Sequence, residues 1–226
     1  MIRLKQQAAN RAVDFIQPGM VLGLGEGSTA IWAVRRIGER YQAGELPGIV
    51  GIAASVKMEA EARRLGIPLS TLEEHPVIDL TIDGADEVDP QLNLIKGGGG
   101  ALLREKIIAQ ASKREIIIVD ESKLSPQLGT KWAVPVEVIP FGWRSQADYL
   151  TGMGATVTLR QRDGKTYTTD QGNIILDCAF GPMPDVIAVA MRIKARTGVV
   201  EHGLFLGLAT DVIVASPVEI KHIERG

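Results

Sequence analysis

Sulfur and imidazole are scarce in this sequence. Cys178 is its single cysteine, so neither an intrachain disulfide nor a cysteine-based zinc site can form. The three histidines, His75, His202 and His222, are scattered and show no metal-ligand spacing, which fits ordinary surface or partly buried side chains. Basic charge is not in excess. Against 27 Asp and Glu there are 25 Lys and Arg, a formal net charge of −2, so counterion release cannot hold a polyanion such as DNA or RNA. An anionic ligand would have to be gripped locally by a few aimed groups. No run approaches the roughly 18 apolar residues of a membrane span. The first ten residues turn polar at Gln6, Gln7 and Asn10 instead of building the apolar stretch of a signal peptide. These absences predict a cytoplasmic protein with no nucleic-acid partner and no membrane partner.

What is present is ordinary globular material. A chain of 226 residues, 45% hydrophobic and 23% charged, suits one large domain or one domain carrying a smaller one. Residues 3–16 repeat apolar positions at helical spacing and stop at Pro18-Gly19. Strand-like runs then alternate with helical ones: strands at 20–24, 49–53, 77–82 and 115–119, helices at 30–41, 57–65 and 101–112. That alternation predicts an α/β fold with a Rossmann-like, mostly parallel sheet, whose strand-end turns share one carboxyl edge where such sheets bind ligands. Near Pro135 the texture changes. Strands at 134–139, 155–160, 174–178 and 199–206, with helices at 146–151 and 186–196, give the order of a smaller ferredoxin-like α+β domain. A last strand at 212–215 rejoins the first sheet, which sets the expected domains at 1–131 plus 207–226 and at 132–206.

Four segments carry chemistry. The loop Gly23-Leu24-Gly25-Glu26-Gly27-Ser28-Thr29 lies between a strand and a helix, where exposed N–H groups and the helix dipole make an anion site. Simple capping by Ser28 or Thr29 explains it as well. Its spacing fits neither the G-x-x-x-x-G-K-[ST] phosphate loop nor the G-x-G-x-x-G dinucleotide fingerprint. Asp83-Gly84-Ala85-Asp86-Glu87 puts three carboxylates after an apolar strand, readable as a reactive cluster, a solvated acidic turn or a magnesium site. Lys96-Gly97-Gly98-Gly99-Gly100 supplies a protein cation, and its glycines make sense where backbone approaches a ligand or takes positive φ. Just beyond, Glu105 has Ala101, Leu102, Ile108 and Ala109 as helical neighbours, so no cation pairs with it along the helix. Burial would raise its pKa as a general base requires, and the helix N-terminus would oppose that. The fourth segment, Asp120-Glu121-Ser122-Lys123, sets Lys123 at a strand end, as a site cation or as an exposed turn lysine.

Taken together, these strings resemble the A-type ribose-5-phosphate isomerase family. Arg104-Glu105-Lys106, Pro135 to Pro140, Asp170-Gln171-Gly172-Asn173 and Gly203-Leu204-Phe205 extend the resemblance over essentially the whole chain. It implies an aldose–ketose isomerase that interconverts ribose 5-phosphate and ribulose 5-phosphate in the non-oxidative pentose phosphate pathway. It also implies a homodimer or homotetramer that needs no cofactor or metal. By the same resemblance Glu105 is the base, while Asp83, Asp86 and Lys96 surround the reacting oxygens. Gly25, Glu26, Gly27, Ser28 and Thr29 hold the phosphate end. Gly84, Ala85, Gly97, Gly98, Gly99 and Lys123 line the substrate, and Lys5 matches a family lysine in the first helix. Glu26 departs from the family, which usually has Thr there. A carboxylate facing a phosphate repels it, so Glu26 is expected to turn outward and contribute only backbone.

Two other readings compete. A non-catalytic sugar-phosphate sensor would normally need a DNA-binding segment, and no basic helix-turn-helix pattern is visible. A different enzyme on a similar fold, such as an amino-sugar-phosphate deaminase or a CoA transferase, is disfavoured by Lys96 and its glycine run.

Overall fold

The computed structural model describes residues 2–226; Met1 lies outside them. Along the chain run α1 (Ile2–Val13), β1 (Val21–Leu24), α2 (Ala30–Gln42), β2 (Val50–Ala53), α3 (Val56–Arg64) and β3 (Leu80–Gly84). Then come α4 (Leu102–Ala111), β4 (Glu115–Asp120), β5 (Val134–Val138), α5 (Trp143–Gly152), β6 (Thr156–Leu159) and β7 (Ile174–Ala179). The last elements are α6 (Val186–Lys194), β8 (Val199–His202), β9 (Asp211–Ala215) and β10 (Ile220–Glu224), with two-residue strands in between.

The chain divides into two compact units. One comprises the residues up to Ala85, Arg104–Lys123 and Gly207–Gly226; the other comprises Asp86–Leu103 and Leu124–Leu206. Compared with the division expected from sequence, residues 86–103 and 124–131 fall in the second unit. Backbone pairing accounts for this. Leu94–Ile95 pairs antiparallel with both Glu87–Val88 and Leu204–Phe205, and Ser125 donates its N–H to the Val88 carbonyl.

In the first unit the sheet order is β10-β9-β4-β3-β1-β2. Every pair is parallel except β9 with β10. All six residues of β4, Glu115 to Asp120, are buried, as a β-branched central strand covered on both faces should be. Ala8, Ala9, Ala12 and Val13 of α1, with Val34 and Ile37 of α2, pack on Leu22, Leu24, Ile82, Ile116 and Ile118. Alanines on α1 let that helix approach closely. A separate cluster joins Ile108 of α4 to Ile52, Ala54 and Ile78. Each large aliphatic side chain fully buried in these clusters contributes about 1.5–3 kcal/mol.

In the second unit the sheet order is β8-β5-β7-β6, with all pairs antiparallel, the arrangement of a ferredoxin-like unit. Val134, Val136 and Val138 alternate into a core with Leu150, Leu176, Cys178 and Ile193. Glu137 lies out of that alternation, and its Oε1 accepts bonds from Thr169 Oγ1 and Asn173 Nδ2, both at 2.9 Å. The Asp170-Gln171-Gly172-Asn173 string is therefore a turn that seats Asn173 on Glu137. The strand expected at 199–206 is two strands broken at Gly203. Gly203 bridges two segments, donating to the Pro135 carbonyl at 2.7 Å and accepting from the Lys96 N–H at 2.9 Å.

Candidate active site

In the first unit β1, β3 and β4 are adjacent and parallel, so the turns after them share one edge. Three of the four segments singled out by sequence leave from these strands. The loop after β1 is drawn against β3 by the Gly25 N–H, which donates to the Ile82 carbonyl at 3.1 Å. Only glycine fits at 25, because a Cβ would lie 2.3 Å from the Asp83 carboxyl. Gly27 has open space around it and takes φ +113°, a conformation that L side chains rarely adopt. Thr29 stands at the N-cap of α2 but makes no side-chain capping bond, so plain capping does not explain it. Ser28 is exposed, and its hydroxyl accepts from Lys5 Nζ at 2.7 Å. The first-helix lysine and the loop serine, 23 residues apart in sequence, are thus brought together.

Glu26 lies elsewhere than expected. Its carboxylate is not turned out to solvent but buried against the start of α3. Oε2 accepts from Ser55 Oγ at 2.5 Å, and Oε1 pairs with Lys57 Nζ at 2.9 Å. Ser55 is also the N-cap of α3, its Oγ accepting from the Met58 N–H. A serine ahead of a helical run was readable as a cap. Nothing local signalled that its partner stood 29 residues upstream.

At the end of β3, Asp83 is buried and accepts the Gly84 N–H at 2.6 Å. Gly84 and Ala85 follow, each half-buried. Glu105 sits in the first turn of α4 with 5% of its surface exposed, so the carboxylate is withdrawn from bulk water. After β4, the chain enters a 3-10 turn over Glu121–Lys123, with Asp120 accepting from the Ser122 N–H and hydroxyl and Lys123 half-buried.

The second unit holds Asp86, Lys96 and the glycine run. Asp86 Oδ2 accepts the Gly98 N–H at 2.7 Å, and a Cβ on Gly98 would meet that carboxylate at 2.8 Å. Gly97 and Gly100 take φ of +103° and +92°. The run is fixed from its carbonyl side: Arg160 Nη1 donates to Gly97 O at 2.7 Å and Gly98 O at 3.3 Å. Tyr167 Oη adds a bond to Gly99 O. Arg160 is itself held by Asp177. Lys96 is only 2% exposed, with Nζ 5.4 Å from the Phe205 ring centroid. Glu87, the third carboxylate of the cluster, is set apart. It accepts the N–H groups of Gly129, Lys131 and Trp132 and so fixes that turn. Ser55, Lys57 and Arg160 were not legible as site-supporting residues.

One group has metal-ligand proximity among the described residues: Asp211, His222 and Glu224. Arg114 already occupies both Asp211 oxygens, and Thr210 and His222 add bonds at 2.6 Å each. Burial pushes the Asp211 carboxyl up, and these donors outweigh it, holding the pKa at about 2. The cluster is a salt-bridge network. A cavity of about 440 Å³ in the first unit, bordered by Ile52, Leu69, Leu72, Arg104 and Ile107, includes none of the expected site residues.

The model of the family described as ribose 5-phosphate isomerase A (phosphoriboisomerase A) matches residues 50–219. A ribose-5-phosphate isomerase A from Chloroflexus aurantiacus is 59% identical over 97% of this chain and 92% of its own. The chain belongs to the ribose 5-phosphate isomerase A family. Solved structures agree. The ribose 5-phosphate isomerase of Plasmodium falciparum superposes with TM-score 0.97 at 42% identity, covering 99% of both chains. A D-ribose-5-phosphate isomerase in complex with phospho-erythronic acid gives TM-score 0.96 at 40% identity, covering 99% of this chain and 98% of its own. Membership of an isomerase family disfavours the sensor reading. No helix among the described residues is long and apolar enough to cross a membrane.

Proposed function

We propose that this chain interconverts D-ribose 5-phosphate and D-ribulose 5-phosphate through a cis-enediolate, without metal or cofactor, in the cytoplasm. The observation that carries the reading is the buried carboxylate of Glu105 in the first turn of α4, in a member of this family. In the open-chain aldose Glu105 removes the proton from C2. The C2–H electron pair becomes the C1–C2 double bond, and the C1 carbonyl pair moves onto O1. The O2–H proton then passes to O1 by way of Asp83 or Asp86, the O2 pair forms C2=O, and the C1–C2 pair takes the proton held by Glu105 onto C1. Lys96 and the N–H groups of Gly97 and Gly99 oppose the charge that develops on oxygen, while the Gly98 N–H is held by Asp86. Asp83 and Asp86 move hydroxyl protons and assist ring opening, with Gly84 and Ala85 shaping the approach. The loop of Gly25, Gly27, Ser28 and Thr29 holds the phosphate, whose remote binding energy fixes the sugar, with Lys5 bonded to Ser28 and Lys123 helping to hold the substrate. A relative whose structure is a complex with phospho-erythronic acid, a sugar-acid phosphate, supports that substrate class.

The chain is further proposed to form a homodimer or homotetramer, which sedimentation would test. Phe141, 88% exposed, and the outward Ile187 and Met191 of α6 supply apolar surface for self-association.

The test is formation of ribulose 5-phosphate from ribose 5-phosphate by chelator-treated protein, alongside Glu105→Gln. The expected result is conversion that chelation does not affect, and a kcat lowered about 10²- to 10⁴-fold in the variant with KM nearly unchanged. Conversion only after divalent metal is restored would make Asp83 and Asp86 metal ligands. Absence of conversion under both conditions would favour another sugar-phosphate enzyme.

A further inference from the structure

A carboxylate in a loop that receives phosphate has to be neutralised, and three features at the start of α3 converge on Glu26 to do so. Its side chain is 7% exposed, and Lys57 Nζ reaches Oε1 at 2.9 Å from a side chain that is itself 69% exposed. Ser55 Oγ donates to Oε2 at 2.5 Å while accepting from the Met58 N–H at 3.0 Å. The carboxylate thereby sits at the N-terminal end of the nine-residue helix α3, whose dipole favours negative charge. Every hydrogen bond described for Glu26 draws the carboxylate toward α3.

We infer that Lys57 is a positioning residue for the isomerase reaction. Acting through Glu26, it cancels that charge and, with Ser55, keeps the carboxylate from taking the loop N–H groups that a phosphate needs. Lys57 touches no substrate in this account. The inference rests on the reading of the 25–29 loop as the phosphate end, and the experiment separates the two.

The experiment compares wild type, Lys57→Ala, Lys57→Arg, Glu26→Thr, the Glu26→Thr/Lys57→Ala double variant and Ser28→Ala. Each is measured at low and high salt for kcat and KM with ribose 5-phosphate and for competitive inhibition by inorganic phosphate. Lys57→Ala is expected to raise both KM and the phosphate inhibition constant about 3- to 10-fold, with kcat within about twofold and the effect shrinking in high salt. Lys57→Arg keeps wild-type values. The double variant returns to within about twofold of wild type, since no charge is left to cancel. A lysine with only a structural role would not be rescued by removing Glu26. The inference is overturned if the double variant is as impaired as Lys57→Ala. It is overturned alone if Lys57→Ala changes nothing while Ser28→Ala weakens phosphate inhibition. If Ser28→Ala also leaves phosphate inhibition unchanged, the phosphate-end reading falls and takes the inference with it.

Discussion

The Asp83 carboxyl fills the space that a side chain at Gly25 would need: a Cβ at 25 would stand 2.3 Å from it. The aspartate belongs to buried backbone at the end of β3 and has little room to retreat. Gly25→Ala should therefore displace Asp83, lowering kcat/KM at least about tenfold and stability by about 1–3 kcal/mol. Steady-state kinetics and urea unfolding report the two effects separately. An alanine variant with wild-type kcat/KM would remove Asp83 from the proposed mechanism.

Asp211 predicts an acid limb. Its folded pKa of about 2 is below the ordinary carboxylate value of 3.8. Stability from this group is thus fully present above about pH 4 and lost as pH falls toward 2. Asp211→Asn should cost about 1.5–3 kcal/mol at pH 6, the worth of hydrogen bonds to a charged group, and much less at pH 2.5. Chemical denaturation at the two pH values checks it; a difference independent of pH would refute the assignment.

Glu137 works in the opposite sense. Burial raises its pKa, the bonds from Asn173 and Thr169 offset that only in part, and the charges of Asp170 and Glu201 raise it further. The folded state opposes its ionisation, so its contribution is best below the unfolded pKa and declines as pH rises through the folded value. Glu137→Gln retains an acceptor for Thr169 and Asn173. Its Tm is expected to exceed wild type by about 2–4 °C at pH 8 and to match it near pH 4.

Cys178 lies in β7, between β5 and β6, and burial pushes its thiol pKa up. Iodoacetamide should leave it unmodified in the folded protein and alkylate it once urea opens the second unit. Mass spectrometry across a urea series would read this directly. Labelling at the rate of a free thiol in buffer would contradict the burial.

Strands whose two faces are both covered were easy to read, because nothing polar interrupts a run such as Ile116-Ile117-Ile118-Val119. β10 was missed for the converse reason. It is an edge strand, and Lys221, His222 and Glu224 break any apolar signal. The reach of the second unit into 86–103 was invisible because two-residue strands leave no periodicity. At the candidate site, residue types and strand-end positions were legible, since glycines and acids stand out directly after apolar strands, though each segment alone also fitted a cap or a solvated turn. Partnerships were not. Glu26 with Lys57, Lys5 with Ser28 and Arg160 with Gly97 depend on folding contacts 23 to 63 residues apart.

Gly97 to Gly100 would be among the most mobile stretches of an unfolded chain, and fixing each residue's backbone costs about 1–2 kcal/mol. Arg160 and Tyr167 on the carbonyl side, and Asp86 on an N–H, fix the run within the folded unit itself. That ordering cost falls on folding and is already met when a ligand arrives. On the proposed reading of this run as part of the substrate site, binding energy from the sugar phosphate is then left for the chemical step instead of for quieting a loop, so loosening Arg160 would act as an entropic tax on turnover.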